Sequence, residues 1–167
     1  MDDMRDFHYV ELGAFDGHRE SNTRFFDDCL GWEGLLIEPN PKVFQNLILN
    51  RPRAHRMSFA ASCSEAEEAA NKTVGFWAAP FTNAAQDDSA NREAYAHGSK
   101  ERLYREVPCG SLTPVLLDLF PSGRVQFFSL DVEGAEHFIT TNIDFDRVFI
   151  DVLISESQNS FCQMDCE

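Results

Sequence analysis

Short apolar blocks recur along the chain, and segments with apolar residues at helical spacing separate them. The blocks predict five strands, at residues 7–13, 33–38, 55–61, 125–130 and 147–155. Strands that alternate with helices in this way are typical of a parallel sheet covered by helices on both faces. We therefore predict that residues 1–167 form a single α/β domain, with a doubly wound, mainly parallel sheet in the strand order 3-2-1-4-5.

Two of the predicted helices carry clear start signals. Residues 21–31 have apolar side chains at helical spacing, with Ser21 or Asn22 as the N-cap. The next helix begins at Pro41, with Asn40 as its N-cap. Such side chains accept a backbone N–H at the N-cap, and proline suits the first helical position. Each helix therefore lies between two predicted strands, as a parallel sheet requires.

The region between the third and fourth strands has the weakest pattern. Residues 64–106 are polar and rich in alanine, so we interpret them as an insertion or a lid-like region. Within them, residues 73–78 predict an extended segment, and residues 83–105 predict either a mobile loop or a marginal helix. A short helix at residues 114–120 then begins after Thr113, its expected N-cap.

Charge and hydropathy exclude several classes of function. The chain has a net charge of −14, which argues against binding to nucleic acid, because that affinity comes largely from Lys and Arg. The acidic balance is compatible with a small neutral or cationic ligand. No apolar run approaches the length of a membrane span, and the N-terminus lacks the apolar region of a signal peptide. We therefore expect a cytoplasmic protein.

The cysteines support the same location. They are odd in number and scattered, which favours reduced thiols over a disulfide framework. Cys162 and Cys166 offer two soft ligands, but no neighbouring histidine or second cysteine pair completes a zinc site, so we predict no metal. The five are Cys29, Cys63, Cys109, Cys162 and Cys166.

Candidate chemistry begins where the first strand ends. Gly13 lets the backbone turn sharply, and Gly17 allows a ligand to approach closely. The backbone amides that open the next helix, near Ser21, would attract a carboxylate or a phosphate. A plain strand–helix turn is the alternative interpretation. Glu38, at the end of the second strand, can accept both hydroxyls of a ribose, although a solvated charge is also common there.

A cluster of carboxylates follows the fourth strand in the segment LDVEGAE. Glu136 is expected to complement the helix dipole in the first turn of the next helix. Asp131 ends a buried strand beside the first loop, so it needs a partner or a solvent-filled cleft. Acidic groups at both loops would suit a ligand that is cationic near its reactive centre.

Four segments together resemble a known family. VELGAFDGHRESNT, GWEGLLIEPNP, the VPC segment with its following leucines, and FFSLDVEGAE look like the motif series of the FkbM-type methyltransferases. These enzymes have the Rossmann-like class I methyltransferase fold and use S-adenosylmethionine (SAM). The resemblance covers nearly the whole chain in order. It implies methyl transfer to an oxygen, typically a hydroxyl on a small molecule or sugar.

The resemblance also implies roles for individual residues. The first loop would hold the methionine part of SAM, Glu38 the ribose, and the segment at Ala61 the adenine. Asp131 and Glu133 would line the transfer site. Because a hydroxyl acceptor must lose its proton, our own hypothesis is that Asp131 or Glu133 is the base. His137 is a weaker candidate, and His18 could face the cleft. The expected cofactor-binding residues are Glu11, Gly13, Ala14, Phe15, Asp16, Gly17, Ser21, Asn22, Glu38, Pro39, Ala61, Ser62 and Asp131, and the expected catalytic residues are Asp131 and Glu133.

The strand count departs from the family pattern. Class I methyltransferases usually have seven strands, whereas five are readable here. We therefore expect that the C-terminal strands are missing, or that the apolar edge of the fifth strand is covered in a homodimer.

Two other functions stay open at this point. An NAD(P)-dependent enzyme is disfavoured because Phe15 would crowd a pyrophosphate at the helix start. A catalytically degenerate module for protein interaction or trafficking is the other alternative.

Overall fold

The computed structural model describes residues 7–78, 83–85, 103–132 and 134–155. Its strands are β1 (His8–Leu12), β2 (Glu33–Ile37), β3 (His55–Met57), β4 (Thr73–Ala78), β5 (Asn83–Ala85), β6 (Leu103–Pro108), β7 (Arg124–Leu130) and β8 (Phe149–Ser155). Five of them form a parallel sheet in the order β3-β2-β1-β7-β8. This order is the predicted one, and the α/β fold class is confirmed. It places the carboxyl ends of β1 and β7 side by side.

The helices are short and only partly match their predicted starts. Asn40 is the N-cap of α2, as predicted, and its side chain accepts a hydrogen bond from the N–H of Lys42. The predicted N-cap at Thr113 is wrong, because Thr113 lies inside α4 and its hydroxyl accepts the N–H of Asp144. The helices are α1 (Arg24–Asp28), α2 (Pro41–Asn50), α3 (Glu65–Ala69), α4 (Leu112–Leu119) and α5 (Glu136–Asn142).

The start of α1 is also different from the prediction. The helix begins at Arg24, so neither Ser21 nor Asn22 is its N-cap. The hydroxyl of Ser21 and the backbone N–H of Asn22 instead donate to the carboxylate of Glu11. Ser21 and Asn22, which the local pattern assigned to the N-cap of α1, therefore bind Glu11 of β1 instead.

The insertion forms a second sheet. Strands β4, β5 and β6 pair antiparallel in the order β5-β4-β6. The extended segment at residues 73–78 is confirmed as β4. The predicted loop or helix at residues 83–105 is wrong where β5 and the start of β6 lie, and residues 86–102 are outside the described part of the chain. In the pairing of β4 with β6, Thr73 lies opposite Pro108. Local periodicity cannot predict a partner so distant in sequence.

One disulfide fastens this second sheet to the main body. Cys63, after β3, is bonded to Cys109, at the end of β6, and Cys109 also forms a bridge with Ala60. The prediction that the cysteines are reduced is therefore wrong for this pair. The two cysteines are 46 residues apart, so their contact depends on tertiary structure. Cys29 is exposed and free, while Cys162 and Cys166 lie outside the described residues.

The hydrophobic core lies on both faces of the parallel sheet. One face packs against α4 and α5, and the other packs against α1 and α2. Side chains alternate along a strand, so Glu11 lies on the same face as Tyr9, towards α1 and α2. Within the residues that the structure describes, no helix is long and apolar enough to cross a membrane. Core members on the first face are Val10, Leu12, Leu35, Ile37, Leu116, Phe120, Phe128 and Ile139, and those on the second are Tyr9, Leu36 and Leu47.

Candidate active site

A cavity of about 130 Å³ opens at the carboxyl ends of β1, β2 and β7. This is the edge at which doubly wound sheets bind their ligands. Ten of the predicted site residues line it: Glu11, Gly13, Ala14, Phe15, Ser21, Glu38, Pro39, Ala61, Ser62 and Asp131. The other described lining residues are Leu12, Arg19, Glu20, Ile37, Phe59, Ala60, Val132, Ala135 and Ile139.

Glu11 is the centre of the first loop. It is only 4% exposed. One carboxylate oxygen accepts the hydroxyls of Ser21 and Thr23, at 2.8 and 2.6 Å, and the other accepts the N–H of Asn22 at 2.8 Å. Burial raises the pKa of Glu11, and these hydrogen bonds oppose the rise. The carboxylate thus ties the loop from residue 21 to residue 23 back onto β1.

Gly13 is required where the strands β1 and β7 meet. It has a φ of +76°, and a Cβ atom there would overlap the carbonyl oxygen of Asp131. The N–H of Gly13 donates to Ile37 at 3.0 Å, and the N–H of Asp131 donates to Leu12 at 3.1 Å. Only a residue without a side chain allows this close approach.

Gly17 serves packing on the other side of the loop. It is buried with a φ of +70°, and an added Cβ atom would meet the side chains of Leu47 and Arg51. The neighbouring Asp16 side chain accepts the N–H groups of His18 and Arg19, at 2.9 and 2.8 Å. Asp16, Gly17 and Asn22 do not line the cavity. Contact with a cofactor stays a prediction for them, as it does for the residues that line the cavity.

Glu38 lies at the end of β2 and is 1% exposed. Its oxygens accept the backbone N–H groups of Phe15, at 2.9 Å, and Asn40, at 2.7 Å. Burial raises the pKa of Glu38 to about 7, although both hydrogen bonds act to lower it. Phe15 has a φ of +48°, which a side-chain-bearing residue rarely adopts. Glu38 therefore stabilises the turn of the first loop as well as lining the cavity.

The wall beyond Glu38 is mostly apolar. Ala61 and Ser62, the expected adenine contacts, line it together with Phe59, which the sequence pattern placed in the third strand without assigning it a function. Cys63, which follows Ser62 in the chain, forms the disulfide with Cys109. Arg19 and Glu20 also line the cavity and were missed. Their position between the predicted loop residues was the signal that could have indicated them.

Asp131 lies on the opposite side, at the end of β7, and is exposed. Glu133 lies outside the described residues, so its expected role stays a prediction. Glu136 accepts the backbone N–H groups of Val132 and Gly134, at 3.1 and 2.9 Å, which agrees with its expected place in the first turn of α5. His137 is exposed on α5 and does not line the cavity.

His18, the other histidine named as a candidate, does not line the cavity. His18 is exposed, and its ring lies 2.9 Å from the guanidinium of Arg24, outside the cavity lining. Among the residues with described positions, no group of three or more His, Cys, Asp or Glu side chains could hold a metal ion.

Comparison with known proteins decides the family. A family model described as the Methyltransferase FkbM domain matches residues 11–164. The chain belongs to the FkbM methyltransferase family. No match was found among curated proteins or among solved structures. The FkbM domain is a SAM-dependent methyltransferase, so the expected cofactor and enzyme class are confirmed.

The walls of the FkbM cavity fit SAM in their chemistry. One end is polar, with the Ser21 hydroxyl and the Asp131 carboxylate, and suits the charged amino-acid part with its sulfonium. Glu38 lies in the middle, where a carboxylate can meet ribose hydroxyls. The other end, with Phe59 and Ala61, is apolar and suits the flat face of adenine.

Proposed function

We propose that this FkbM domain methylates a hydroxyl oxygen of a small molecule or sugar. The observation that carries the proposal is the exposed Asp131 carboxylate at the edge of the cavity, next to the loop that starts at Gly13. A hydroxyl acceptor must lose its proton as it attacks the methyl carbon, so a base is needed beside the transfer position.

The cavity carboxylates differ in their exposure to solvent. Glu11 and Glu38 are 4% and 1% exposed. Asp131 is exposed, so an acceptor can approach it from solvent. We therefore place Asp131 or the nearby Glu133 as the base, and Glu11 and Glu38 on the cofactor side.

Each part of SAM is assigned to a different segment of the cavity wall. We propose that the loop tied to Glu11 holds the amino-acid part of SAM, that Glu38 accepts the ribose hydroxyls, and that Ala61 and Ser62 contact the adenine. SAM supplies an electrophilic methyl group on a sulfonium. The residues around it then orient the acceptor in line with that methyl group and exclude water, which is where most of the rate enhancement arises.

Variants of Asp131 and Glu133 test whether either carboxylate is the general base. We expect Asp131→Asn or Glu133→Gln to lower methyl transfer by about 100-fold or more, the usual contribution of general-base catalysis. Methyl transfer is measured with labelled SAM and a panel of sugars and other hydroxylated small molecules, and binding of S-adenosylhomocysteine is measured by calorimetry. Glu136→Gln is the matched control, because Glu136 lies in the same turn but binds backbone N–H groups. Unchanged turnover in both site variants would contradict the assignment.

The location of the protein is a separate proposal. The cytoplasmic location stays a prediction, and the Cys63–Cys109 disulfide bears on it because disulfides are typical of oxidising compartments. Alkylation of free thiols in intact cells, followed by mass spectrometry, distinguishes the two. Alkylated Cys63 and Cys109 would support the cytoplasm, and a protected pair would refute it.

A further inference from the structure

Arg51 is a buried cation that none of the assigned roles uses. It follows α2 and is 1% exposed. Its Nε donates to Asp27 at 2.8 Å, one terminal nitrogen donates to the Ser21 hydroxyl at 3.0 Å and the Gly17 carbonyl at 3.3 Å, and the other donates to the Tyr9 hydroxyl at 2.9 Å. Arg51 thus contacts the far side of the same loop whose near side lines the cavity.

The direction of the hydrogen bonds around Ser21 and Thr23 follows from simple chemistry. Arginine only donates, and an ionised carboxylate only accepts. Arg51 lies 3.0 Å from the Ser21 hydroxyl and 3.4 Å from the Thr23 hydroxyl, and both hydroxyls also contact Glu11. Each hydroxyl must therefore accept from Arg51 and donate its single proton to Glu11.

The charge of Arg51 is compensated inside the protein. Asp27 is also buried and forms an ion pair with it. Burial alone would lower the pKa of Arg51, but the hydrogen bond to Asp27 and the contact with Tyr9 raise it above its usual value. A permanent positive charge therefore lies behind the loop, and it also favours the ionised form of Glu11.

We propose that Arg51 is a positioning residue for the cofactor: through Ser21 and Thr23 it holds Glu11 and the first loop in the shape that binds SAM. The inference rests on the proposed placement of SAM at this loop but not on the identity of the acceptor. Arg51 does not line the cavity, so it acts only through the groups that do. A loop held in its bound shape before the ligand arrives loses less entropy on binding.

Arg53 provides the matched control. Its guanidinium also binds Asp27, at 3.0 Å, but its side chain is 62% exposed. Its other described bonds go to the Asp27 carbonyl and to Asp28, and none reaches the loop from Gly17 to Thr23 within the described residues. Arg51 and Arg53 therefore share one partner and differ in their contact with the loop.

Calorimetric titration of the full chain with S-adenosylhomocysteine tests the proposal. Arg51→Met should weaken binding by about tenfold or more, because hydrogen bonds from a charged donor are lost. Arg53→Met should stay within about twofold, since exposed ion pairs contribute little. Arg51→Lys should restore part of the affinity, as it keeps the charge but loses the forked geometry.

A double-mutant cycle separates positioning from general stability. If Arg51 acts through Ser21, then Arg51→Lys combined with Ser21→Ala should weaken binding by less than the product of the two single effects. Multiplicative effects would overturn the proposal, as would equal losses of affinity in Arg51→Met and Arg53→Met. If Arg51→Met does not fold, the double-mutant cycle with Arg51→Lys and Ser21→Ala still tests the proposal.

The same titrations separate this inference from the proposed function. If the wild type binds S-adenosylhomocysteine but methylates no hydroxyl compound, only the acceptor proposal fails. If the wild type does not bind it, the placement of the cofactor and the role of Arg51 are both overturned.

Discussion

The two halves of the parallel sheet differ in their buried charges. The half built from β1, β2 and β3 has a buried ion pair, Arg51 with Asp27, in addition to exposed pairs such as Arg24 with Asp28. In the half built from β7 and β8, the charges lie at the surface, as in the Arg124–Asp151 pair, whose side chains are 60% and 37% exposed. We propose that the first half is preorganised around the loop assigned to the cofactor. The second presents Asp131 to solvent, where an acceptor can enter.

This difference follows from the desolvation of charges. A buried charge is stable only with partners, so every member of the first network restricts its neighbours. An exposed charge is hydrated and restricts little. We infer that the constant ligand, SAM, is bound by the rigid half and that the open half accommodates the acceptor.

The largest predicted effect contrasts the two ion pairs. Asp27→Ala leaves Arg51 buried without its carboxylate and should lower the free energy of unfolding by about 3–5 kcal/mol. Asp151→Ala removes the partner of Arg124 at the surface and should lower it by about 0–1 kcal/mol. Urea denaturation measures both values. Equal losses would show that the two halves do not differ in this respect.

The next effect is the pH dependence that comes from Glu38. Its pKa in the folded protein is about 7, above the ordinary value of 4.5. The stabilising contribution is complete below pH 4.5 and is lost as the pH rises to 7, because only the unfolded state releases the proton in that window. This loss amounts to about 3 kcal/mol.

Urea denaturation without cofactor, at several pH values between 4 and 8, provides the measurement. Glu38→Gln should remove this part of the slope, whatever its effect on absolute stability. A slope that is the same in the variant and the wild type would contradict the assignment to Glu38.

A smaller difference, of about 1–3 kcal/mol between two glycine variants, concerns the contact between the halves. Gly13→Ala meets the Asp131 carbonyl as well as an unfavourable φ of +76°. Gly31→Ala meets only the unfavourable φ of +68°, since no described atom lies within 4 Å of its added Cβ. Both should lose about 1–2 kcal/mol for the conformation, and Gly13→Ala should lose about 1–3 kcal/mol more for the overlap. Thermal denaturation of the two variants compares them, and equal losses would exclude a tight contact.

The smallest expected effect on monomer stability lies in β8. Val152 is 48% exposed on this strand, beside Phe149, Leu153 and Ile154, which are also exposed apolar residues. We propose that this strand pairs with a second copy, because exposed apolar edges favour association. Val152→Asp should change the stability of the monomer by about 0.5 kcal/mol or less and should abolish the dimer.

Sedimentation velocity at several concentrations measures the association. A wild type that stays monomeric would refute the proposed homodimer. A dimer that persists in Val152→Asp would place the interface elsewhere.

Elements whose signals are local were predictable from the sequence alone. Asn40 and Pro41 mark the start of α2 because the N-cap hydrogen bond and the first helical turn involve neighbouring residues. The five apolar blocks determined the parallel sheet and its order, since alternation with helices leaves few topologies. The strand ends then indicated Glu11, Glu38 and Asp131 together, because parallel strands end at one edge.

The partners of these residues depend on contacts between distant parts of the chain. Ser21 and Asn22 bind Glu11 instead of capping α1, and Arg51 reaches the loop from the end of α2. Cys63 and Cys109, and the strands β4 and β6, likewise meet across long stretches of sequence. A local pattern records which groups need partners, whereas the fold brings distant groups within hydrogen-bonding distance. That is the physical reason why the position of the site was predictable and its network was not.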